Sequence, residues 1–172
     1  MDPSTRNAAP LQPSAAFGTA AEDATSGAAL AQLQALVIKR GLRPGLLPAP
    51  ERAAVLALVW AALPAAGTLR EPEVNELLRA QLAGAVACLD IDHVELRRWL
   101  VDAGWLQRDG YGRAYWRTPA EALPDAGAAW GRYLQDLDPG AWVQALADAH
   151  LAAREARRQA WTAAQPSGDA GA

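Results

Sequence analysis

The run DHVELRRWLVDAGWLQRDGYGRAYWR, residues 92–117, carries a helix start, a helix stop and a hairpin in one stretch. Asp92 stands before an apolar helical pattern, and Glu95 follows three residues later, the spacing of a capping box. Leu96 and Leu100 lie one turn apart on one face, and Gly104 supplies the glycine stop, so the run predicts a helix over about Asp92–Ala103. Beyond it, Trp105-Leu106-Gln107-Arg108 and Arg113-Ala114-Tyr115-Trp116-Arg117 flank the turn-forming Asp109-Gly110-Tyr111-Gly112, which is the pattern of a β-hairpin. Strand alternation places Ala114 and Trp116 opposite Arg113, Tyr115 and Arg117, and the expectation is that Trp116 faces the core.

Upstream, Glu71 to Ala83 reads as a helix with Pro72 in its first turn and Val74, Leu77, Leu78 and Leu82 on one face. Helix, helix, hairpin in that order is the sequence form of a winged helix-turn-helix, whose second helix enters a major groove while the hairpin is the wing. An earlier helix runs from about Pro50, with Val55, Leu56, Val59, Trp60 and Leu63 inward, and Pro64 closes it. Before that, Leu30, Leu33, Leu36 and Val37 mark a first helix that ends in Lys39, Arg40 and Gly41, and Pro44, Pro48 and Pro50 stiffen the connection. After Pro119 the pattern returns to helix, a short piece around Ala128–Leu137 and a longer one from Pro139 to about Trp161. Asp138 caps the latter, and Arg154, Arg157 and Arg158 complement its dipole.

The expected fold is therefore mainly α, a winged helix-turn-helix-like core with a C-terminal hairpin wing, flanking helices and disordered termini. Its divisions are a tail over 1–27, a helix and Pro-rich connector over 28–49, the winged module over 50–118, a helical extension over 119–162 and a second tail over 163–172. Both tails lack apolar periodicity and have too little to bury to offset the entropy of ordering. Val74, Leu78, Leu96, Leu100 and Trp116 are the expected core of the module.

Composition narrows the function classes. The 172 residues carry a formal net charge of −3, so bulk electrostatics give no general attraction to nucleic acid or to acidic membranes. Hydrophobic residues make up 51%, but alanine supplies much of that and buries little, which leaves Leu, Val and the seven Trp to build the core. The longest apolar run, Ala53 to Ala66, is interrupted by Pro64 and is shorter than the roughly 20 residues that span a bilayer. With Cys88 the single cysteine and no secretory pattern in the first residues, a reducing cytoplasm is the expected location and no membrane partner is expected.

From about Pro50 to Thr118 the chain resembles the bacterial domain-of-unknown-function 2087 (DUF2087) family. The resemblance rests on Glu71-Pro72-Glu73-Val74-Asn75-Glu76-Leu77-Leu78, on the block from Asp92 to Leu106, and on the block from Arg108 to Arg117. It implies a winged-helix-like fold and a link to transcriptional regulation, and it implies no established activity. Two features depart from the family's pattern: Arg70 stands where a Thr cap is usual, and the connection from Gln81 to Ile91 is longer.

No catalytic constellation emerges. All four serines, Ser4, Ser14, Ser26 and Ser167, fall in the tails, away from any general base. Cys88, Asp90, Asp92 and His93 are dense enough to suggest a zinc site, but a buried small Cys, an Asp helix cap and a first-turn His explain them better, so no metal and no cofactor is expected. Asn75 is read as a backbone-bonding residue in preference to a base reader.

The candidate nucleic-acid contacts are Arg97 and Arg98 on the second helix and Arg108, Arg113 and Arg117 on the hairpin. Between His93 and Thr118 these five face only Glu95, Asp102 and Asp109, a local positive excess inside an acidic protein. Arg98 also lies four residues before Asp102, where the two can pair. In the last helix Trp142, Leu146, Ala149 and Ala153 make an apolar stripe whose default reading is packing over the winged module, with pairing to another copy as the alternative, and Trp161 beside three Arg has the composition of an interface. The sequence thus supports a non-catalytic regulator that binds duplex DNA, as a homodimer held by the flanking helices. The alternative is a protein-interaction module that keeps the fold without nucleic-acid contact.

Overall fold

The computed structural model describes the backbone of residues 20–134 and 137–164. Of the tails expected to lack order, residues 1–19 and 165–172 lie outside the described residues, while residues 20–27 and 163–164 continue helices. The elements are α1 (Ala20–Val37), α2 (Ala49–Ala62), β1 (Leu69–Arg70), α3 (Glu71–Ala83), α4 (His93–Asp102), β2 (Leu106–Arg108), β3 (Ala114–Arg117), α5 (Asp125–Leu134) and α6 (Pro139–Ala164). The chain is mainly helical with one small antiparallel sheet of order β1-β3-β2. Leu69 pairs with Tyr115, and Leu106 with Arg117.

Helix α2 is the centre. Ala54 to Trp60 are buried without interruption, and a helix apolar all round must be covered all round. The cover comes from α1 (Leu33, Leu36, Val37), from α3 and α4 (Val74, Leu78, Leu96, Leu100), from α5 (Leu134) and from the start of α6. α1 begins at Ala20, ten residues before the apolar pattern does, because its Ala-rich first half favours helix by propensity. The stripe expected along α6 is only half used: Trp142, Val143 and Leu146 pack on the core, whereas Ala149 and Ala153 are exposed.

Three local features differ from the sequence reading. β1 is two residues long, too short to leave a periodic signal, yet it joins the segment before α3 to the hairpin. Arg70 precedes α3 without a capping side chain of its own, and the deficit is met from within the helix: its N–H donates to the Glu73 carboxylate at 2.7 Å while its guanidinium holds the same group at 2.8 Å. The long connection after α3 is filled with core residues, Ala85, Val86, Cys88 and Leu89, and is pinned to the chain before α2 by Leu42 N–H to Cys88 C=O (2.9 Å) and Asp90 N–H to Leu42 C=O (2.8 Å).

The expected inward face of the hairpin is reversed. Tyr115, 3% exposed, belongs to the core, while Trp116 is half-buried on the outer face with its Nε1–H on Gln107 Oε1 at 2.8 Å. Alternation itself holds; the choice of face follows from what lies beneath. Trp60 already fills the space under the hairpin, with its ring edge to Trp105 at a centroid distance of 6.1 Å and the Arg117 guanidinium 4.2 Å above it.

Truncation therefore ranks the two indoles. Trp60→Ala is expected to lower unfolding stability by about 3–5 kcal/mol, the range for a fully buried large aromatic, and Trp116→Ala by under about 2 kcal/mol. Urea denaturation midpoints of the two variants against the parent decide it, and equal losses would refute the reversed face.

Candidate functional site

Helix α4 is fixed at both ends. Asp92 Oδ1 accepts the Glu95 N–H at 2.8 Å, and this bond to the amide holds the Asp92 carboxyl below its ordinary range. At the other end Gly104 adopts φ +76°, Trp105 N–H reaches Leu100 C=O at 2.8 Å and Gly104 N–H reaches Val101 C=O at 3.1 Å, the two bonds of a Schellman stop. Leu96 and Leu100 are fully buried between these anchors. The outward face then carries Val94, Glu95, Arg98 and Asp102.

The five arginines singled out from the sequence separate into two groups. Arg97 is turned inward: its Nη1 donates to Glu71 Oε1 and to Asn75 Oδ1, both at 2.7 Å, its plane lies 5.5 Å from the Tyr115 ring, and its side chain is 16% exposed. Arg117 is also engaged, donating to the Leu63 carbonyl at 3.2 Å above Trp60, and burial lowers its pKa. Arg98, Arg108 and Arg113 are exposed; Arg113 lies against the Tyr111 ring at 5.6 Å near the hairpin turn. Among the described residues no ion pair joins Arg98 to Asp102.

A cleft of about 340 Å³ separates α4 from the hairpin. Val94, Val101 and Tyr115 give it apolar surface, and Arg97, Arg98 and Arg108 give it charge, with Asp102 the one carboxylate in its lining. A second hollow lies across the Val94–Arg98 ridge, lined by Asp92, Glu95, Trp99 and Asp102, and is acidic. The α4 face is thus divided in charge and not uniformly basic.

Asn75 bonds a side chain, Arg97, where a backbone partner was expected. The dense group at 88–93 is dispersed: Cys88 is fully buried with its thiol pushed up by burial, Asp90 pairs with Arg43 at 3.2 Å, and Asp92 caps α4. Arg79 lies 3.0 Å from His93 Nε2; since arginine only donates, that nitrogen is the acceptor. Among the described residues no three metal-ligating side chains gather, and no helix is long and apolar enough to cross a membrane.

Residues 49–117 match the family described as "Uncharacterized protein conserved in bacteria (DUF2087)". This stretch, and not the rest of the chain, is similar to DUF2087, and it is called the DUF2087 segment for that likeness. It opens on the first residue of α2 and closes on the last of β3. No curated protein and no solved structure matches the chain. Within the DUF2087 segment, sequence reasoning missed Glu71 as the partner of Arg97; the only available signal was that Glu71 and Asn75 stand four residues apart on one face of α3.

The cap predicts a pH response. A carboxyl held low in the folded state adds stability above its unfolded pKa and loses it as pH falls through the folded value. Asp92→Ala is expected to lower the unfolding midpoint at neutral pH, and the gap to the parent is expected to close as pH falls through the carboxylate range. Thermal melts across that range check it, and a constant gap would show that the charge on Asp92 is not what supports α4.

Proposed function

We propose that the DUF2087 segment is a winged helix used as a protein-interaction module, with α4 and the wing as the contacting face and with neither duplex-DNA reading nor catalysis among its tasks. The observation that carries this reading is the state of Arg97. A guanidinium that reads base edges has to reach out of the second helix, and here it reaches back into α3, held by Glu71 and Asn75. The outward positions left to α4 include Glu95 and Asp102, which would stand against phosphates in a groove. Val94, 42% exposed, and Tyr111 near the wing tip offer the apolar contact that protein interfaces favour. The buried, protonated thiol of Cys88 and the dispersed ligands around it give no support to a reaction centre. A cytoplasmic setting suits such a module.

The test is a fluorescence titration of the full chain with genomic duplex fragments, including the region upstream of its own gene, at about 50 mM salt, where even non-specific binders are visible. No binding is expected. Binding whose salt slope falls by roughly two to three when Arg98, Arg108 and Arg113 are replaced together by Ala would overturn the reading in favour of DNA. In cells, a photo-cross-linking residue at Val94 is expected to yield protein adducts that the same residue at exposed Glu121, outside the DUF2087 segment, does not.

A further inference from the structure

We infer that the cleft between α4 and the hairpin is a carboxylate subsite, which receives an Asp or Glu side chain from the protein partner. The inference rests on the reading of this face as a protein-binding one. Its first support is the preparation of Arg97. The guanidinium carries five N–H groups, and the bonds to Glu71 and Asn75 both leave from Nη1. The N–H groups on Nε and Nη2 have no protein partner among the described residues, while Tyr115 supports the plane at 5.5 Å. Such a group loses little freedom when it accepts a ligand, which removes a main cost of binding.

The second support is the pair of arginines beside it. Arg98, from α4, and Arg108, from β2, line the same cleft, both are exposed, and neither has an ion-pair partner among the described residues. One carboxylate can therefore be met by guanidinium groups from both sides, the arrangement that gives short, charge-assisted hydrogen bonds. The third support is what limits the ligand. Asp102 is in the lining and Glu95 is exposed one helical turn before Trp99, so a polyanion laid along α4 would bring further charges against carboxylates. A single acidic side chain on a flexible segment avoids both, and its methylenes meet Val94 and Val101. The volume of about 340 Å³ is at the small end of ligand sites, sufficient for a side chain and not for a folded element.

The experiment follows the arginine Nε–Hε signals of the full chain by NMR during titration with three probes: a short Glu-Ala peptide acetylated at its N-terminus and amidated at its C-terminus, its Gln-Ala counterpart blocked in the same way, and a short duplex DNA. The expected result is a saturable shift of the Arg97, Arg98 and Arg108 signals with the Glu peptide, none with the Gln peptide, and no comparable change at Arg113. Replacing Arg98 and Arg108 together by Gln, both exposed and so dispensable for folding, is expected to weaken the Glu peptide by about tenfold or more, as loss of charged hydrogen bonds does. Arg113→Gln is expected to change it by less than about twofold, since an isolated exposed charge contributes little. If the Gln peptide shifts the α4 signals equally while DNA does not bind, the subsite is refuted and the interaction module stands. If DNA binds and the double variant abolishes it, both fall. No saturable shift with any probe, or a shift at Arg113 as large as at Arg97, also refutes the subsite.

Discussion

The hydrogen bond from the Trp60 indole to the Thr118 carbonyl, 2.8 Å long and fully buried, sets the position of nearly everything else. A buried N–H without a partner costs about 1–3 kcal/mol, so the chain leaving β3 is held in register against α2. Thr118 N–H in turn reaches the Trp105 carbonyl at 3.1 Å, which closes the base of the hairpin. Arg117, one residue before, covers the Trp60 ring and takes the carbonyl of Leu63 just past the end of α2. On the remaining side α5 approaches closely: a Cβ on Gly131 would lie 2.6 Å from Leu123 Cδ1, which would have to shift, and 3.6 Å from Trp60, in ordinary contact. One indole thus joins a helix, a hairpin and a second helix.

Much of this was legible in the sequence because it is local. The glycine stop at Gly104, the Asp92 cap and the apolar spacing of Leu96 and Leu100 are each decided within a few residues, and the hairpin announces itself through Asp109 and two glycines. What was not legible depends on distant partners. Alternation in β3 yields two faces but cannot say which one meets Trp60, and size alone favours Trp116, whose indole finds Gln107 on the neighbouring strand instead. Two residues of β1 carry no periodicity at all. The weak start of α3 at Arg70 was visible as a departure, but its remedy through Glu73 required knowing that both ends of one carboxylate would be used.

The candidate site was legible in composition and not in geometry. Five arginines between 97 and 117 suggest a basic face, yet successive helical residues point about 100° apart, so Arg97 and Arg98 cannot share a direction. Arg97 falls at the crossing of α3 and α4, where a carboxylate 26 residues away is within reach, and Arg98 falls outside. The nearer sequence pairing, Arg98 with Asp102, is the one the fold leaves open. A salt bridge at a helix crossing fixes the angle between the helices more than it adds stability, because desolvation offsets most of its attraction. With Tyr115 beneath and Asn75 beside it, the Arg97 guanidinium acts as a strut between α3, α4 and β3.

The boundaries of the DUF2087 segment bear on how that strut is used. The match begins with α2 and ends with β3, so Trp60 lies inside it while Thr118, Leu123, Gly131 and Leu134 lie beyond. The far side of α2 is covered by α1, α5 and the first turns of α6, all outside the segment. Since Ala54 to Trp60 are buried on every side, the segment in this chain is not closed by itself; its outer helices complete the core and leave the α4–hairpin face as the open one. α6 then runs on past its packing: every side chain from Asp148 to Thr162 is exposed, Trp161 to 66%, in a stretch rich in the strong helix formers Ala, Arg and Gln. The helices around α2 therefore close one side of the molecule, and the division of charge across α4, with arginines toward the hairpin and carboxylates toward Trp99, is left as the surface on which selection between partners can act.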